Sequence, residues 1–208
     1  MPRRDYDPAG LGAGIYPLLN SVVVPRPIAW VSTRSATGVD NLAPHSFFTV
    51  SSVSPPVVQF TSVGTKDSLR NAVATGEFVV AICTEELADK VNCSGGNYPP
   101  DRSEFDACGL TREPSEKVAA FRVAESPVNL ECRVLGTHAF SADTDTGGSV
   151  LVFGEVVWAV VDEGVLRDER PEISLLRPVS RLGADEWGAV GEVTARRRPT
   201  FVPPPDGA

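Results

Sequence analysis

Apolar residues in this chain gather in short, strand-sized runs, and most runs stop at a proline, a glycine or hydroxyl side chains. Runs of that length, rich in β-branched and aromatic residues, predict strands. Ile28-Ala-Trp-Val-Ser-Thr33, Val57–Val63, Glu77–Thr84, Pro127–Phe140 and Ser149–Asp162 are the clearest. Between Pro127 and Phe140 the apolar positions are Val128, Leu130, Cys132 and Val134. That alternation predicts a sheet with one buried face. Gly154 interrupts the last run and predicts a bulge or a barrel corner. Pro25 and Pro27 cannot both sit in a central ladder, so they predict a bend before Ile28. Phe47–Val50 fits either a strand or a packed loop, and Ser54-Pro-Pro56 breaks it.

Helical spacing is rarer. Leu69, Ala72 and Val73 fall on one helical face, with Thr65 or Asp67 as the expected N-cap and Gly76 as the expected stop. Glu85–Val91 predicts a short helix, and Glu104–Leu110 a single turn ended by Gly109. Strands therefore outnumber helices. There is no alternating strand–helix rhythm, and no Gly-x-Gly-x-x-Gly follows a first strand, which excludes a dinucleotide-binding doubly wound sheet. The fold class expected is mainly β: an antiparallel barrel with short helical insertions. Residues 1–14 read as a loose arm, 15–185 as one domain, and 186–208 as an extension disordered at Pro203–Pro205.

Charge narrows the partners. The chain of 208 residues carries a net charge of −8. That sets nucleic acid and anionic membrane surfaces aside as main partners but leaves room for a local basic pocket. No apolar run approaches a membrane span, and Met1–Asp5 has no apolar stretch behind it, so the cytoplasm is the default location. Cys83, Cys93, Cys108 and Cys132 form no Cys-x-x-Cys pair, and His45 and His138 are not spaced for a metal. The cysteines are expected to be reduced and structural, and no metal site is expected.

Three groups could carry chemistry. Lys66-Asp67-Ser68 stands where a loop enters a helix, and a helix N-terminus with a lysine is an anion site. A capped surface helix has the same pattern, and Asp67 is expected to cap backbone rather than touch a ligand. Ser32, Thr33 and Asn41 offer donors and acceptors at a strand end, suited to the edge of a planar heterocycle or to ordinary turn structure. His45 is the one candidate for proton transfer. Ser46 lacks the Gly-x-Ser-x-Gly elbow of a hydrolase. Glu104 and Asp106 are two apart and cannot face each other on a helix, so a glycosidase-type carboxylate pair is excluded. Glu155 is a candidate for burial in an ion pair, and Arg196–Arg198 for a solvated tail or a subunit contact.

In order along the chain come Arg26-Pro-Ile-Ala-Trp-Val-Ser-Thr33, Asn41-Leu-Ala-Pro-His-Ser-Phe-Phe48 and Pro55-Pro56. Lys66-Asp-Ser-Leu-Arg-Asn71, Gly76-Glu-Phe78, Ser126-Pro127, Leu130-Glu-Cys132 and Gly154-Glu-Val156 follow. The ordered set, spanning about residues 16–183, resembles the flavin reductase-like, FMN-binding split-barrel family. The resemblance implies a Greek-key split β-barrel and a homodimer that binds FMN, rather than FAD, near the subunit interface. It places Trp30, Val31, Ser32, Thr33, Asn41, Leu42, Ala43 and Ser46 around the flavin. It also places Lys66, Asp67 and Ser68 on the phosphate, with Thr61 and Ser62 beside them. It implies an oxidoreductase passing electrons from NAD(P)H through FMN to a free flavin, a partner oxygenase or a small molecule. Many family members carry Gly-Asp-His ahead of the long strand. Here Gly147-Gly148-Ser149 stands there, which keeps a non-catalytic flavin-binding or storage protein as the alternative.

Overall fold

Seven antiparallel strands form the main sheet in a computed structural model that describes residues 1–141, 143–144 and 147–201. They are β1 (Ala29–Arg34), β2 (Asp40–His45), β3 (Phe48–Val53), β4 (Pro56–Val63), β5 (Glu77–Ile82), β6 (Val128–Ala139) and β7 (Ser149–Val161). Their order across the sheet is β2-β1-β5-β6-β7-β4-β3. The Thr61 N–H donates to the Phe47 carbonyl at 2.9 Å, and His45 Nδ1 lies 3.3 Å from the Thr61 carbonyl oxygen. These contacts tie the β2 end of the sheet back to β4 and close it into a barrel.

Strand β1 is buried on both faces. Ala29 and Val31 point into the barrel core with Phe60, Phe78, Val80, Cys132 and Val152. Trp30 points the other way, into a second core with Leu42, Val91, Phe105 and Val179. That second core is covered by α3 (Ala88–Ser94) and α4 (Glu104–Ala107). Helix α2 (Asp67–Thr75) seats Leu69 and Ala72 in the barrel core and stops at Gly76, whose φ of 74° suits glycine. Gly154 marks a register shift in β7, and Phe78 packs where its Cβ would be.

Several expectations change. Residues 8–11 form a short exposed helix, capped by the Asp7 carboxylate, within the N-terminal segment. The chain enters the barrel through α1 (Ile15–Val22). Residues 40–45, to which the pattern assigns no element, form a full strand. The first half of β6 is covered on both faces, so alternation does not mark one wet side. Asn129 and Glu131 are buried there, and Glu131 accepts the N–H groups of Glu116 and Lys117. Buried polar side chains of this kind break an apolar pattern without exposing the strand. Cys93 and Cys108 form a disulfide, against the expectation of four reduced cysteines; Cys83 and Cys132 are free and buried. Glu155 is half-buried and, among the described residues, makes no ion pair. Arg26–Pro27, Val179–Arg181 and Trp187–Ala189 form a small separate sheet, so the tail packs back on the domain as far as Ala189. Arg196–Arg198 are exposed, and Pro203–Pro205 lies outside the described residues. No helix among the described residues is long and apolar enough to cross a membrane.

Candidate functional site

A cleft of about 490 Å³ opens where the β2 end, the start of α2 and the loop after α3 converge. Asn41, Ala43, His45, Ser46, Thr61, Lys66, Asp67 and Ser68, all singled out from sequence, line it. Each is brought there by the barrel closure. Strand β2 supplies the first three, the turn after it supplies Ser46, β4 supplies Thr61, and the N-cap and first turn of α2 supply Lys66, Asp67 and Ser68.

The α2 terminus is electropositive. Lys66 occupies the N-cap position and provides no side-chain cap, so the first-turn N–H groups have no capping partner. Its exposed ammonium makes no ion pair among the described residues. Neither expected cap acts as one. Thr65 Oγ1 donates to Thr144 Oγ1 at 3.0 Å, and Asp67 pairs with Arg70. Pairing Asp67 with Arg70 offsets the carboxylate that would otherwise oppose an anion here. Asn41 Nδ2 donates to Ser68 Oγ at 3.1 Å, which fixes both side chains at the cleft wall.

His45 is buried. Its ring lies 4.8 Å from the Phe60 ring, and Nε2 has no hydrogen-bond partner. Burial drives its pKa down to about 4; the Thr61 carbonyl opposes the shift and the nearby Lys66 charge adds to it. The ring is therefore neutral at pH 7.

Other residues singled out from sequence stand elsewhere. The Trp30, Val31 and Leu42 side chains are fully buried in the two cores, and the Trp30 indole N–H donates to Ser94 Oγ at 2.7 Å. Thr33 is buried and accepts from Asn71 Nδ2 at 3.2 Å. Ser62 is buried and donates to the Gly64 carbonyl at 2.8 Å, which shapes the turn into α2. Ser32 is fully buried, with its hydroxyl oxygen unpartnered. Period-two alternation in β1 explains the split, since neighbouring side chains leave on opposite faces.

Sequence reasoning missed Tyr16, Tyr98 and Glu104, which also line the cleft. Glu104 is buried and its Oε2 accepts the Leu42 N–H at 2.8 Å. Burial raises its pKa, with the Leu42 bond opposing. Asp106 points away and forms a two-pronged pair with Arg112, so the two carboxylates remain separate. The turn that carries Glu104 is signalled by Gly109 and by the Ser103 N-cap, but nothing in the sequence signals the burial of its carboxylate. A second cleft of about 580 Å³ adjoins the first through Tyr16, Pro44, Ser46 and Gly95.

The profile of the flavin reductase like domain matches residues 21–176 of this chain. An uncharacterized protein of Halalkalibacterium halodurans is 39% identical over 192 residues, covering 89% of this chain and 91% of its own. The crystal structure of nitrilotriacetate monooxygenase component B from Bacillus cereus superposes with a TM-score of 0.90 at 29% identity, covering 94% of this chain and 100% of that one. That of 2-nitrobenzoate 2-nitroreductase from Pseudomonas fluorescens gives a TM-score of 0.86 at 28% identity, with 97% and 100% covered.

Proposed function

The chain belongs to the flavin reductase like domain family and has its split-barrel fold, and from that premise we propose that it is an FMN-binding oxidoreductase. The observation that carries this is the junction of two features in one cleft. An α2 N-terminus with the unpaired Lys66 adjoins a wall where the buried His45 Nε2 lacks a partner. Both suit a ligand with an anionic end and a polar-edged ring.

Lys66, the first-turn N–H groups and the Ser68 hydroxyl would hold the FMN phosphate. Asn41 and Ser46 would meet the polar edge of the ring, with neutral His45 offering a lone pair at Nε2. When bound, FMN supplies the hydride and electron chemistry, so no protein nucleophile is needed. The protein's own work is to orient the ring and to keep bulk water from one side of it.

NAD(P)H is the proposed electron donor. The relation to a monooxygenase component supports an oxygenase as acceptor, and the relation to a nitroreductase supports a small molecule. Exposed Val50, Val53, Leu135 and Trp158 on β3, β6 and β7 support a homodimer that covers them.

Gly147-Gly148-Ser149 stands where the family resemblance implies Gly-Asp-His in many members, and this departure favours a second reading: a flavin-binding protein without turnover. Titration of FMN into the purified protein, read by quenching of flavin fluorescence, tests the shared claim. Saturable binding is expected. NADH or NADPH oxidation then separates the enzyme from the carrier.

A further inference from the structure

The second cleft holds two guanidinium groups and no carboxylate paired with either. Arg26 is buried at its floor. Its Nη1 donates to the Asn20 and Val23 carbonyls, and its Nη2 to the Leu182 carbonyl at 2.7 Å. Its Nε is buried with no partner. Arg181 lines the same cleft, stacked 5.2 Å from the centre of the Trp187 ring, with Nη2 on the Ala184 carbonyl at 2.6 Å. Among the described residues, neither arginine makes an ion pair. Asp185, also in the lining, is exposed and paired with neither.

Burial, more than the neighbouring Arg181 charge, pulls the Arg26 pKa down, while Tyr16 opposes the shift. Two like charges held in one recess without a counterion are unfavourable unless an anion enters. Carbonyls already occupy both terminal nitrogens of Arg26, so the free donors suit one small planar anion more than an extended diphosphate. Tyr16, Ile28 and Trp187 supply apolar and aromatic walls. Tyr16 is half-exposed and lines both clefts, so a ring bound here would lie beside whatever fills the first.

We propose that this second cleft binds the carboxylate of a planar aromatic acid beside the cleft assigned to flavin. The inference rests on the flavin reading only for what lies next door; the anion site itself stands on Arg26 and Arg181.

Calorimetric titration of benzoate and of its neutral isostere benzamide tests it, on the protein with and without added FMN. Benzoate is expected to bind at least tenfold more tightly than benzamide, the scale of a hydrogen bond to a charged group. Arg181→Gln should weaken benzoate at least tenfold, and Arg26→Lys serves as the second variant if that protein proves unstable. Equal affinity for the two probes, or no loss in either variant, overturns the proposal. So does an NADH affinity that falls in Arg181→Gln while benzoate's does not, since the cleft would then belong to a dinucleotide. Because benzoate is also titrated without flavin, failure of the FMN reading would show separately, as an absence of bound flavin.

Discussion

His45 and Thr61 meet on the line where the barrel closes, with His45 Nδ1 3.3 Å from the Thr61 carbonyl oxygen. One ring nitrogen thus serves the fold, while the other, Nε2, is buried and unpartnered at the cleft. A neutral ring suits both duties, because Nδ1–H can donate to the carbonyl while Nε2 keeps its lone pair.

Stability should therefore fall as pH drops from about 6.5 toward 4, the window between the unfolded and folded His45 pKa values. In that window the unfolded chain binds a proton that the folded chain refuses, so stability rises with pH. The full effect is about 3 kcal/mol at most. Urea unfolding of the wild type and of His45→Gln at pH 7.5 and 4.5 checks this. The wild type should lose more stability than the variant on acidification.

Lys66→Ala should weaken FMN binding by about 1.5–3 kcal/mol, the scale of one hydrogen bond to a charged group. Its unfolding free energy should stay within about 0.5 kcal/mol of wild type, because the side chain is exposed and, among the described residues, makes no ion pair. An unchanged dissociation constant would remove Lys66 from the site.

Gly154→Ala should destabilise the fold by about 1–3 kcal/mol through overpacking. The added Cβ would stand 2.3 Å from Phe78 Cζ and 3.0 Å from Cys132 Cβ, and both neighbours are fully buried. A lowered urea midpoint with an unchanged denaturant slope is the expected reading.

How much of this was legible beforehand follows from where each signal came from. The strands of β1, β4, β5 and β7 announced themselves because β-branched runs bounded by prolines and glycines have few other uses. The α2 terminus was legible as an anion site because Lys66 and Ser68 sit where a loop becomes a helix. The fate of Trp30 was not, since a strand buried on both faces shows no alternation to tell which face meets a ligand. Tyr98, from the loop after α3, and Glu104, at the start of α4, enter the cleft along a path that depends on contacts distant in sequence. The Cys93–Cys108 bond was hidden too, because spacing alone does not bring two cysteines together.

That disulfide joins the end of α3 to the residue after α4 across 15 positions and closes the loop that carries Tyr98 and Glu104. A closed loop of this size constrains the unfolded chain by roughly 3 kcal/mol. Reduction should loosen the cleft wall while the barrel stays folded. Trypsin should then cut after the exposed Arg102 faster in the reduced protein. Equal cutting rates would mean that the wall is held by its packing alone.

The most direct test of the central claim is anaerobic addition of NADH, then NADPH, to the FMN-loaded protein while its visible absorption is followed. An oxidoreductase should hold the flavin through gel filtration and lose the flavin band with one of the two donors. A flavin band that neither donor bleaches would contradict the assignment of NAD(P)H and favour the carrier. Failure to retain any flavin would contradict the account of the cleft itself.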